Sequence, residues 1–148
     1  MLMQVPIIVM NNLRSVLIDL KLRALEAYKS RNIEFYRYYL ADDSLTVTTF
    51  TVVDKETALS GIAMTSSQVL GYSMESPRLI FLTTGSTILF YKLTLEIQKD
   101  GRRLILPVFV STAYAHIGGD WHAAFHQHTS FKFSALGFIG DKKNSRID

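Results

Sequence analysis

The segment 119-GDWHAAFHQHTSFKF-133 carries His122, His126 and His128, three of the four histidines in the chain. Imidazole titrates near neutral pH and is a common metal ligand, so this cluster could move a proton or hold a metal ion. His126 and His128 stand two residues apart, which places both rings on one face of a strand. His116 is the histidine that a neighbouring strand could add as a third ligand. No supporting carboxylate stands at a matching spacing.

The same alternation argues against a site there. Trp121, Ala123, Phe125, Gln127, Thr129, Phe131 and Phe133 fall on one face, almost wholly apolar and therefore expected to face the core. His122, Ala124, His126, His128 and Ser130 fall on the other. The histidines are expected on the outer side of the sheet, as a polar ladder in solvent or between subunits, and no metal is expected. Gln127 is an amide on an apolar inward face; it needs hydrogen-bond partners and is expected to line a wet pocket.

Other chemistry is thinly represented. There is no Gly-rich phosphate loop, no Gly-x-Ser-x-Gly elbow and no His-Glu-x-x-His motif. The absence of cysteine excludes disulfides and thiolate chemistry and is compatible with the cytoplasmic location we expect. Sixteen basic and 13 acidic residues are interspersed, giving a net charge of +3. The compact basic clusters, Arg102-Arg103 and Lys142-Lys143, are too small for a nucleic-acid face. No apolar run approaches the roughly 18 residues needed to span a bilayer. The start, MLMQVPIIVM, lacks a basic leader and a small-residue cleavage site, so no signal peptide is expected.

The elements that must position these residues divide into a helical front and a stranded back. With 48% hydrophobic and 20% charged residues, the chain has the composition of one globular domain. We assign residues 1–12 to an N-terminal extension, 13–133 to the domain and 134–148 to a polar tail. Leu13, Val16, Leu17, Leu20, Ala24, Ala27 and Tyr28 recur at amphipathic-helix spacing, with Asn11 or Asn12 as cap. Asn32 caps a second, short helix that stops at the turn Ala41-Asp42-Asp43. Ser44 to Phe50 reads as a strand, and Asp54 caps a third helix to about Gly61. Strands follow over 67–75, 78–83, 87–98, 103–117 and 121–133, with a break at Pro77 and a tight turn at Asp100-Gly101. The layout is α+β: a strongly bent antiparallel β-sheet wrapped around N-terminal helices, with a pocket at its open end.

The stretches 22-LRALEAYKSRNIEFYRYYLADDSLTV-47, 84-TGSTILFYKLTLEIQKDG-101 and 111-STAYAHIGGDWHAAFHQHT-129, in that order, resemble the nuclear transport factor 2-like superfamily. Within it the chain is similar to the SnoaL-like and ketosteroid-isomerase-like branch and to a domain family of unknown function. The resemblance covers residues 13 to 131. It implies a cone-shaped, cystatin-like fold with an interior pocket, commonly dimeric through the sheet, hosting isomerases, dehydratases, ligand binders and oligomerisation modules. The positions matching the isomerase general base are Thr46, Val47 and Thr48, which cannot take a proton at neutral pH. The inward position matching the dehydratase histidine is Gln127, and Asp42 and Asp43 read as turn residues.

What remains is a pocket lining: Tyr28, Tyr39, Phe50, Tyr114, Trp121 and Phe125 as aromatic walls, with Gln127 and Thr129 as polar groups. That mixture suits a small, partly hydrophobic organic ligand. Two readings stand. One is a ligand-binding protein or interaction module, homodimeric through the sheet, without cofactor, nucleic acid or membrane as partner. The other is a small isomerase or lyase whose acid–base pair the sequence does not reveal.

Overall fold

The computed structural model describes residues 6–130. Phe131, Phe133 and the tail assigned to 134–148 lie outside the described residues. Three helices, α1 (Ile7–Lys29), α2 (Ile33–Tyr39) and α3 (Lys55–Met64), accompany six strands: β1 (Leu40–Val47), β2 (Val52–Asp54), β3 (Gln68–Thr83), β4 (Ser86–Lys99), β5 (Arg102–Ile117) and β6 (Asp120–Ser130). The strands form one curved sheet in the order β2-β1-β6-β5-β4-β3.

Helix α1 starts earlier than the sequence suggested. Pro6 occupies the N-cap, and Met10 N–H donates to its carbonyl at 3.0 Å, so residues 7 to 12 are helical. Proline lacks an N–H and is pre-set in φ, which makes it an effective boundary at a helix start, whereas Asn11 and Asn12 lie inside the first turns. The other two caps match their sequence signals: Asn32 Oδ1 accepts from Phe35 N–H at 3.1 Å and Asp54 Oδ1 from Thr57 N–H at 2.9 Å.

Strand β1 runs straight on from α2, so Ala41-Asp42-Asp43 is strand, not turn. Both aspartates point to solvent, where Asp42 meets Lys55 at 3.3 Å. The strand ends at Val47 because Thr48 Oγ1 accepts from Phe50 N–H and Thr51 N–H and folds the chain back. Strand β3 passes through Pro77 without a break. Ser76 takes a φ of 52° and the ladder shifts register between Glu75 and Arg78, a bulge that an edge strand tolerates. Asp100 and Gly101, with φ of 53° and 75°, make the tight β4–β5 turn.

Among the described residues four strand pairings are antiparallel, but β1 and β6 run parallel. The sheet is therefore not antiparallel throughout. The whole of α3 and β3 to β5 lies between these two strands, ample length for the crossover that a parallel pair requires.

The helices pack on the concave face. Leu17, Ala24 and Leu25 of α1, Tyr39 of α2 and Leu59 of α3 meet Leu89, Tyr91 and Leu93 of β4, Val108, Val110 and Tyr114 of β5, and Ala123 of β6. Leu17 and Leu89 are completely buried, each a gain of roughly 1.5–3 kcal/mol over an exposed position.

Candidate functional site

One residue breaks the apolar stripe of α1. Leu17, Lys21, Ala24 and Leu25 share the helix face that meets the sheet, and Lys21 is only 3% exposed. Its Nζ donates to Thr112 Oγ1 of β5 at 2.9 Å and lies 5.5, 5.9 and 5.8 Å from the ring centroids of Tyr39, Tyr91 and Tyr114. No carboxylate pairs with it among the described residues. Burial therefore lowers its amine to about pKa 7 from the ordinary lysine value of 10.5.

On the other side of Thr112 stands His126, with Nδ1 3.0 Å from the same Oγ1. While the ammonium donates to the hydroxyl oxygen, the hydroxyl hydrogen is free to point at Nδ1, leaving the ring proton on Nε2. Burial, then the positive charges of Lys21 and His128, hold His126 well below the usual histidine range. His128 is lowered as well, by burial. Tyr39 and Tyr114 bond each other through their hydroxyls at 2.6 Å, and burial pushes both phenols up, so they stay neutral.

Lys21, Tyr39, His126 and His128 open onto a cavity of about 550 Å³, with Thr112 and Tyr114 buried behind them. Leu93, Leu95, Ile97, Leu106, Val108 and Val110 form its apolar wall; Tyr28, Tyr36, Tyr39 and Tyr91 add aromatic surface. Thr46, Thr48, Thr57 and Ser67 supply hydroxyls, and Lys21, Lys29, Arg31, His126 and His128 supply the ionisable groups. No described Asp or Glu lines it. An ammonium, a hydroxyl and an imidazole in one hydrogen-bonded row can pass a proton along the wall and stabilise negative charge on a bound molecule.

The arrangement of helices against a curved sheet superposes on several solved structures. An NTF2-like protein from Cytophaga hutchinsonii superposes with a TM-score of 0.73 at 15% identity, covering 80% of this chain and 98% of its own. A ketosteroid isomerase-like protein from Erwinia carotovora atroseptica gives 0.71 at 10% identity, covering 80% and 95%. A putative Ca/calmodulin-dependent kinase II association domain from Exiguobacterium sibiricum gives 0.69 at 18% identity, covering 82% and 95%. This chain has the NTF2-like fold. No family model and no curated protein matches it by sequence.

The NTF2-like frame places the sequence-derived residues unevenly. Tyr28 and Tyr39 line the cavity, and Tyr114 lies buried directly behind Tyr39. Phe50 is 92% exposed at the tip of the 48–51 turn. Trp121 is only partly buried, its ring 5.0 Å from His116 at the far end of β5 and β6. Phe125, Gln127 and Thr129 pair with Ala113, Ser111 and Phe109 on the convex face, and the structure thus removes all three from the pocket. His126 and His128, expected to point outward, are the residues that point in.

A β-bulge causes this reversal. Tyr114 pairs with Ala123, but Ala113 pairs with Phe125, so Ala124 is an extra residue with no partner on β5. Strict alternation holds from Trp121 to Ala123 and is then offset by one, which exchanges the faces of every later side chain. The other histidines are employed elsewhere: His122 Nδ1 bonds the Tyr38 carbonyl oxygen at 2.8 Å, and His116 packs on Trp121. His116 is thereby kept from any site with His126 and His128, whose rings lie 5.8 Å apart.

Lys21 and Thr112 were missed altogether. The signal for Lys21 was present: it sits four residues from both Leu17 and Leu25, in the middle of the stripe, where a lysine faces the core.

Proposed function

We propose that this chain is a homodimeric ligand-binding protein whose cavity receives a small, partly hydrophobic organic molecule. The observation that carries the reading is the cavity itself, apolar along one wall and closed by the Lys21–Thr112–His126 row on another. A volume of about 550 Å³ lies within the ordinary range of small-molecule sites. The dimer rests on the convex face, where Ile80, Ile105 and Phe109 are 52%, 60% and 43% exposed and Phe90 stacks on Phe109. An apolar sheet face of this kind is suited to a second copy, and one structural neighbour is described as an association domain. Protein-observed NMR against a set of small aromatic and aliphatic compounds tests the pocket. Shifts confined to Tyr28, Tyr39, Leu95, His126 and their neighbours support it, and shifts scattered over the surface contradict it.

A second reading, a small isomerase or lyase, is favoured by one specific feature: both ends of the proton-carrying row, Lys21 and His126, line the cavity. Enol-forming carbonyl compounds, followed for solvent-deuterium incorporation, separate the two. Exchange that disappears in His126→Gln supports catalysis, and none above background supports binding alone.

A further inference from the structure

The cavity contains a buried positive charge with no negative partner. An amine 3% exposed has lost most of its hydration, and the described residues give it one hydroxyl and three ring faces in return. The groups beside it are Tyr39 from α2, Tyr91 from β4, Thr112 and Tyr114 from β5 and His126 from β6, with Tyr36 and His128 on the same cavity lining. None of these carries a negative charge while its phenol or imidazole stays neutral. The remaining ionisable groups of the lining, Lys29 and Arg31, are also basic.

We propose that the cavity selects small organic carboxylates, whose head group supplies the counter-charge that Lys21 lacks while the apolar part lies along Leu93, Leu95, Ile97 and Leu106. The inference rests on the ligand-binding reading above and deepens it. Two donors line the same cavity: the ammonium of Lys21 and, across Thr112, the imidazole of His126, whose ring proton sits on Nε2. Two donors match the two oxygens of a carboxylate. A neutral ligand of the same shape would leave the ammonium uncompensated. Binding is coupled to protonation of Lys21, because a carboxylate beside the amine favours its charged form. Affinity is therefore highest where the amine is already charged and falls as pH rises.

The test compares trans-cinnamate with its neutral isostere trans-cinnamamide by titration calorimetry at pH 6.5 and 8.5, with the intact chain. Cinnamate is expected to bind at least tenfold tighter than the amide at pH 6.5. That preference should shrink several-fold at pH 8.5, with proton uptake visible as a dependence on buffer ionisation enthalpy. Lys21→Met should abolish the preference. Equal or tighter binding of the amide to the wild-type chain would overturn the carboxylate inference while keeping the pocket, and it needs no variant to fold. Persistence of the preference in a folded Lys21→Met would also overturn it. Binding of neither compound at millimolar concentration would overturn the inference and count against the pocket reading with it.

Discussion

Lys21 on α1 and His126 on β6 meet across a single hydroxyl, that of Thr112, at 2.9 and 3.0 Å. Three separate elements thus converge on one buried oxygen, which is completely shielded from solvent. Removing it should be felt on both sides. Thr112→Val keeps the shape and deletes the acceptor, leaving the Lys21 ammonium with ring faces alone. A loss of ~1–3 kcal/mol in urea unfolding is expected at neutral pH. In a Lys21→Met background the same change should cost much less, and the difference measures the coupling.

Stability should rise with pH through the alkaline range. The folded amine titrates at about 7, the unfolded one at 10.5. Between those values the unfolded chain holds a proton that the folded chain has lost, so unfolding takes up a proton and becomes harder as pH climbs. The contribution reaches at most ~1.4 kcal/mol per pH unit. Above about pH 10 the buried tyrosines oppose it, because their phenols are raised and ionise more readily in the unfolded chain. Urea unfolding at pH 7.5 and 9.5 checks the slope, which Lys21→Met should flatten while gaining on the order of 2 kcal/mol at the lower pH.

Much of this was legible in the sequence, and the failures have physical causes. The caps at Asn32 and Asp54, the Asp100-Gly101 turn and the α+β layout follow from local rules that the structure obeys. The site did not, because its inward residues depend on the unpaired Ala124, and a bulge has no reliable signature in a run such as HAAFHQH. The parallel β1–β6 pairing was illegible for a similar reason: it joins distant segments, and alternation within a strand does not identify its partner. Lys21 was readable in principle, since a charged residue inside an apolar stripe conflicts with its local pattern, and such conflicts mark functional positions.

The convex face should govern assembly without touching the cavity. Phe109→Asp places a charge where Phe90 stacks, at 5.8 Å between ring centroids. Light scattering is expected to move from twice the chain mass of 16.8 kDa to a single chain. A wild-type protein that already scatters as one chain at micromolar concentration would remove the dimer.

Zinc should leave the melting temperature unchanged. His126 Nδ1 is engaged by Thr112, and the described residues bring no third His, Cys, Asp or Glu to His128. A site that bound zinc in the native state would stabilise it by mass action. A rise of several degrees that vanishes in the double variant His126→Ala, His128→Ala would overturn this assignment.

The most direct measurement is the titration of Lys21 itself, followed by NMR at Cε and Nζ and assigned by its disappearance in Lys21→Met. A midpoint near the value of about 7 set by burial is the expected result. It should shift upward when cinnamate is added and stay in place with cinnamamide. A midpoint close to the ordinary lysine value of 10.5 in the unliganded protein would show a solvated amine and contradict the buried, unneutralised charge on which the site is built.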